Sequence, residues 1–257
     1  TEMSEATLPV LTLYDGKTAI NELYGYTEKM DAAYMRDTIT PIGENRLLPV
    51  TVQTYQTAVD KISYEIRSLD AQRLIANADV TSYTENKGMI SMELPIQNLL
   101  EKNEEYLLVI QLESGDRMIY YYTRIIESQN SYVSECIDFV KQFNDTTFDS
   151  EKASSLSTYM EKTTGDNTTL QYVTLNNSLN QVSWAEFHGT RLTTPVPSVK
   201  EITSTYNVIV LDYVVTRVGQ NGQSEYYNVE EYYRVRYTNT RMYLLNFERT
   251  MEEIFRG

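Results

Sequence analysis

The chain has a single cysteine, Cys136, so no disulfide can form within it, and cysteine usage leaves the compartment open between oxidising and reducing. It has one histidine, His188, and one tryptophan, Trp184. One histidine and one cysteine would leave two ligands of a zinc site to carboxylates, so no metal is expected. No GxSxG, SxxK, HExxH or phosphate-loop pattern occurs, and no cofactor is expected either. Long apolar runs are absent. The longest, Tyr106–Leu112 and Val208–Val215 (broken by Asp212), have the length of strands rather than of a bilayer span. Positive charge is in deficit: residues 1–127 carry 11 Lys+Arg against 20 Asp+Glu, the remainder 11 against 16, and the net charge is −14. Both halves would repel a nucleic-acid backbone or an anionic lipid surface, so neither partner is expected.

What the chain has in excess is tyrosine, 22 residues against 6 Phe. Tyrosine suits a half-buried strand that leaves its hydroxyl wet, so the excess points to sheets with amphipathic faces. A length of 257 residues suits two domains of about 125 residues each. Residues 1–8 read as a disordered or linker arm. The chain begins at Thr1 without an initiator methionine, which reads as a cut downstream of a signal peptide, a tag or an anchor helix, the anchor being preferred.

From about residue 9 to 127 the hydrophobic period is two, punctuated by turns. Asp15-Gly16, Asn86-Lys87-Gly88 and Ser114-Gly115-Asp116 each separate a pair of strand-like runs. Pro49 places Leu47–Tyr55 at an edge or a strand start. Strands at this spacing without a helical interruption predict an antiparallel two-sheet sandwich. Within it, Leu100-Glu101-Lys102-Asn103-Glu104-Glu105-Tyr106-Leu107-Leu108-Val109 resembles the tyrosine corner of immunoglobulin and fibronectin type III domains. That resemblance implies a buried Tyr106 whose hydroxyl bonds to backbone just upstream. The cysteines and the strand-C tryptophan of antibody domains are missing, so only the Ig-like sandwich carries over.

At Glu127–Asn130 the period changes to 3.6: Tyr132, Val133, Cys136, Ile137, Val140 and Phe143 share one face of a helix over 131–144. Asp149 or Ser150 caps a second helix, and Thr163–Asn167 is a loop. Strands resume at Leu170–Leu175, near Val182–Phe187, and at Ile202–Val218, whose two faces are both apolar and must both be covered. Asn221-Gly222 reverses the chain into Glu225–Tyr237, Arg241–Phe247 comes next, and Glu248–Phe255 reads as a closing helical turn. The fold class predicted is therefore mainly β: an Ig-like antiparallel sandwich, 9–127, joined to an α+β domain, 128–257, with a curved antiparallel sheet on helices. The element order of the second domain resembles NTF2-like and cystatin-like layouts, which implies a pocket at the open end of the sheet. The strings Ile62–Ile75 and Tyr226–Phe255 resemble segments of membrane-anchored extracytoplasmic proteins of clostridia. This implies a location at the cell surface, with the membrane reached only through a segment outside this chain; the cytoplasm stays open on cysteine usage alone.

No catalytic residue stands out. A Cys136–His188 dyad would need a reactive thiol in the middle of an apolar helix stripe, and 36 acids supply accidental carboxylate pairs without singling one out. The oxygen-rich runs Asn144–Asp149 and Gly165-Asp166-Asn167 lack the ligand spacing of a calcium loop. The candidate ligand-binding residues are Trp184 and His188, in Trp184-Ala185-Glu186-Phe187-His188-Gly189, and Arg234 on the polar face of Glu225–Tyr237. The expected function is a non-enzymatic interaction or ligand-sensing module whose partner is a protein or a small or sugar ligand. The alternatives are a cell-wall carbohydrate-binding protein using aromatic platforms, and an enzyme in the C-terminal concavity.

Overall fold

A computed structural model describes residues 7–97, 100–160, 170–238 and 240–255. The expected N-terminal arm falls largely outside them, as do the loop at Thr163–Asn167 and the run Gly165-Asp166-Asn167. The described chain forms two compact units divided between Gln129 and Asn130, where the hydrophobic period changes from two to 3.6.

The first unit is a sandwich of two five-stranded sheets. One sheet holds β1 (Val10–Asp15), β2 (Thr18–Tyr24), β4 (Leu47–Gln53), β7 (Thr84–Asn86) and β8 (Met89–Pro95), in the order β2-β1-β4-β8-β7. The other holds β3 (Ile39–Pro41), β5 (Lys61–Ser68), β6 (Leu74–Val80), β9 (Glu105–Ser114) and β10 (Arg117–Ile126), in the order β3-β10-β9-β5-β6. The run β1-β4-β8-β7 against β5-β9-β10 is the ABED and CFG arrangement of an Ig-like sandwich. Strands β2, β3 and β6 are additional to it, and β3 lies parallel to β10. Alternation builds the core: Leu48, Val50 and Val52 of β4 and Ile62, Tyr64 and Ile66 of β5 are buried while their neighbours are not. Pro49 does not mark an edge. It sits in β4 between two paired strands, but past the end of the β1 register, which stops at Val50, so one side of β4 carries no ladder there.

Tyr106 lies at the head of β9 and is 4% exposed; its hydroxyl accepts a hydrogen bond from the Glu101 backbone N–H at 2.8 Å. This is the tyrosine corner expected from the sequence. Replacing Tyr106 with Phe leaves that N–H without its acceptor and is expected to lower stability by about 1 kcal/mol, measured as a shift of the first unit's urea midpoint at constant slope. Other core tyrosines also use their hydroxyls inward, contrary to the expectation of wet phenols. Tyr64 donates to the Pro95 carbonyl at 2.8 Å and Tyr121 to the Pro9 carbonyl at 2.5 Å, tying one sheet to the other.

The second unit begins with helix α1 (Val133–Thr147), slightly later than the sequence suggests, with Val133, Cys136, Ile137, Val140 and Phe143 buried against the sheet. Asp149 does satisfy backbone donors after α1, accepting from the Glu151 and Lys152 N–H groups, but the next element is a 3-10 helix, Ala153–Tyr159. The sheet comprises β11 (Tyr172–Thr174), β12 (Thr190–Arg191), β13 (Ser198–Ile202), β14 (Asn207–Val218), β15 (Ser224–Tyr237) and β16 (Met242–Ile254). Its order is β11-β16-β15-β14-β12, with β13 also pairing β14. Two expectations fail. Val182–Phe187 is not a strand: a four-residue helix, α2 (Leu179–Val182), leads into turns. Glu248–Phe255 is not a helical turn, because β16 continues as strand to Ile254, paired with β15.

Candidate functional site

The odd-numbered positions of β15 face α1: Tyr227, Val229, Glu231, Tyr233 and Val235 are buried. Glu231 is therefore a carboxylate in an apolar row, 0% exposed, and it is fully partnered. It accepts from Asn144 Nδ2 and the Tyr233 hydroxyl at 2.7 Å each, from the Tyr213 hydroxyl at 2.9 Å, and from Arg249 Nε at 2.7 Å. Arg249 occupies the cross-strand position on β16. Burial works most strongly against its charge, but Glu231, by charge and hydrogen bond, together with Tyr213 and Tyr233 outweighs that and holds the guanidinium above its ordinary pKa. Burial first, and then the Glu231 charge, push the Tyr213 and Tyr233 phenols well above theirs. Asn144 also accepts from Arg191, which in turn reaches Asp145. All these groups are bound to one another, so the cluster is an internal scaffold that locks α1 to the sheet.

Trp184 belongs to this scaffold. It is 5% exposed, Phe148 stacks on it at 5.2 Å with a 13° interplanar angle, and the Arg249 guanidinium lies over its ring at 4.4 Å. The expected platform at Trp184 is thus corrected: its ring is covered by protein and cannot stack on a ligand. The Trp184 backbone N–H donates to the Thr147 carbonyl, and its carbonyl accepts from the His188 N–H, so the turn 184–188 is pinned to the end of α1.

That turn ends at the surface. Phe187 packs inward at 5.3 Å from Trp184, while His188 is exposed and held at φ +56°. The next residue is Gly189 because nothing larger fits: a Cβ there would lie 2.5 Å from Val215 Cγ1. Beside them, where Asn221-Gly222 joins β14 to β15, the hairpin register sets Arg217 opposite Glu225. Arg217 Nε donates to Glu225 at 2.8 Å, Nη2 donates to the Tyr227 hydroxyl at 3.3 Å, and the guanidinium lies 4.1 Å over the Phe187 ring. Among the described residues Nη1 meets no acceptor. Phe187, His188, Arg217, Glu225 and Glu186 line an open cleft of about 700 Å³.

Of the three residues singled out from sequence, only His188 reaches this cleft. Arg234 is on the even-numbered face of β15, away from Glu231, and near the other end of the strand, where it donates to the Tyr232 hydroxyl and lies 4.8 Å over Tyr206. It does not join Trp184 or His188 in a common site. Arg217 is the residue that sequence reading missed as a site member, whereas Phe187 already groups with Trp184 and His188 in the sequence; the hairpin register around Asn221-Gly222 was the available signal for Arg217.

The remaining candidate chemistry lies outside this cleft. Cys136 is 0% exposed, with its thiol pushed up by burial, and Asn207 Nδ2 lies 3.3 Å from the sulfur. Asp212 and Glu230 are cross-strand neighbours on the solvent face of the sheet, where partial burial, then Asp212, raises the Glu230 carboxyl. Among the described residues no group of three His, Cys, Asp or Glu side chains is arranged to hold a metal ion. No helix of the described residues is long and apolar enough to cross a membrane. No protein-family model matches the chain, and no curated protein matches it.

Proposed function

We propose that this chain is a non-enzymatic binding module, the extracytoplasmic part of a membrane-anchored protein, that engages a carboxylate-bearing group of a protein or peptide through the cleft at Phe187, His188 and Arg217. The observation that carries this reading is the state of Arg217. Its planar guanidinium is already oriented by Glu225, Tyr227 and the Phe187 ring, and Nη1 is left over at an open cleft. A fork of this kind matches a carboxylate with little loss of side-chain freedom. The surrounding groups favour holding over transforming: among the described residues no acid is bonded to His188 to orient it as a base, and Glu225 is committed to Arg217. The extracytoplasmic placement rests on the resemblance of Ile62–Ile75 and Tyr226–Phe255 to anchored clostridial proteins.

His188, as the sole histidine, gives a single imidazole Hε1 signal in proton NMR. Titration with N-acetyl-Ala-Ala bearing a free C-terminal carboxylate is expected to shift that signal. The C-terminal amide should not, the Arg217→Gln protein should not respond, and the peptide should be recovered unchanged. Equal shifts from acid and amide, or none at millimolar peptide, reject the reading.

A second reading has its own observation. On the first unit, Tyr24, Tyr26, Tyr34 and Tyr122 line a groove of about 310 Å³, and Tyr34 is 85% exposed. The rings of Tyr24, Tyr26 and Tyr34, rather than the buried Tyr122 or Trp184, are exposed enough to stack on a sugar. Chitotetraose quenching tyrosine emission in the native protein but not in Tyr34→Ala would favour it.

A further inference from the structure

Sheet edges carry unpaired backbone donors and acceptors, and folded proteins guard them by shortness, proline, charge, bulges or distortion. Three of the four edge strands in the first unit are guarded in this way. Strands β3 and β7 have three residues each, and β3 ends in Pro41. The β2 register with β1 is broken by a bulge, and Asn21 sits in the left-handed region at φ +49°. Strand β6 differs. It is seven residues long, it ends its sheet, and from Ala76 to Val80 its pairing with β5 is unbroken. It contains no Pro, Lys or Arg, and its one charge, Asp79, has Lys61 of β5 at 3.5 Å.

The sequence of this edge is complementary to itself. In an antiparallel pairing about a two-fold axis through Ala78, Asn77 of one copy faces Asp79 of the other, twice. The Asn77 amide donates to the Asp79 carboxylate in each pair. On the opposite face Ala76 meets Val80, and the small Ala78 meets its own image at the axis. That apolar face extends the row formed by Ile66, Tyr64 and Ile62 on β5. A shift of the axis by one residue to Asn77 would set Asp79 against Ile75, so the chemistry selects one register.

We infer that β6 is a homotypic docking edge: two copies of the chain pair β6 with β6 antiparallel about Ala78, joining two five-stranded sheets into one of ten. Five residues of strand bury far less than the 1,200 Å² or so typical of a stable dimer. The association is therefore weak in dilute solution and becomes effective when copies are held together, as tethering to one membrane does by raising the effective concentration to about millimolar. The inference is independent of the ligand cleft, which lies in the other unit.

Sedimentation equilibrium of the native chain from about 10 µM to about 1 mM tests it. The weight-average mass is expected to rise towards twice the monomer value, and Ala78→Lys, which sets like charges at the axis on an exposed position, is expected to abolish the rise. Under mild oxidation Ala78→Cys should form a disulfide-linked dimer readily, whereas Leu74→Cys, far from its own image in this register, should not; Cys136 is buried and does not compete. A monomer at every concentration, a rise that survives Ala78→Lys, or equal crosslinking of the two cysteine variants overturns the proposal.

Discussion

Arg249→Met is expected to destabilise the second unit by about 3–5 kcal/mol, with the first unit's transition unchanged. The substitution leaves Glu231 at 0% exposure with a full negative charge and no cation. Replacing both partners by apolar residues often rescues an isolated buried ion pair, but not here. In an Arg249→Met, Glu231→Leu double variant, Asn144 Nδ2 and the Tyr213 and Tyr233 hydroxyls all lose their shared acceptor. The double variant should therefore be no more stable than Arg249→Met alone. Urea unfolding followed by Trp184 fluorescence reports on this unit selectively, because the only tryptophan is inside it. A loss below about 1 kcal/mol for Arg249→Met, or recovery in the double variant, would show that water reaches the cluster.

Trp184→Ala is expected to cost about 3–5 kcal/mol, as large as any single truncation in this unit. The indole fills the space between the end of α1 and the sheet, touching Phe148, Phe187, Tyr213 and Arg249. Its removal leaves a cavity next to a charged group, which collapses poorly. In the native protein, Trp184 emission should be blue-shifted and resistant to iodide; a red-shifted, readily quenched emission would place the ring in solvent and reopen the stacking site. Comparing the thermal or urea midpoints of native and Trp184→Ala proteins, the latter by circular dichroism, measures the cost directly.

These two residues also explain where sequence reading stops. The sandwich was legible because its strands alternate cleanly and its turns carry glycine: Ile62, Tyr64 and Ile66 can be assigned to one face without coordinates, and Tyr106 is recognisable from its place at the head of a strand. Strand β16 was not legible beyond Phe247. Its inward row reads Phe247, Arg249, Met251, and an arginine at an inward position breaks the period of two. Met251, Ile254 and Phe255 then imitate a helical stripe. The charge that hides the strand is the one that holds the unit together, and only its partner across the sheet, Glu231, makes sense of it. The turn at 184–188 failed for a different reason. A helix of four residues is too short to display a period, and Val182 and Trp184, two apart, pass for the start of an alternation. The cleft was half legible. His188 was visible as the only histidine, whereas Arg217 becomes a site residue only through the strand register that brings it beside Glu225 and the Phe187 ring.

If the cleft takes a carboxylate as proposed, the preset orientation of Arg217 bears on kinetics. Its orientation is set by Glu225, Tyr227 and Phe187 before any ligand arrives, so little reorganisation separates encounter from capture. Encounter itself is then the slow event, and it takes place in the field of a chain with net charge −14. A carboxylate approaching from bulk solvent meets repulsion until it comes within a Debye length of the guanidinium, about 8 Å at physiological ionic strength. Added salt screens the long-range repulsion more than the short contact, so it speeds arrival while shortening residence only slightly. On that reading, dilute buffer is the condition in which binding is slowest.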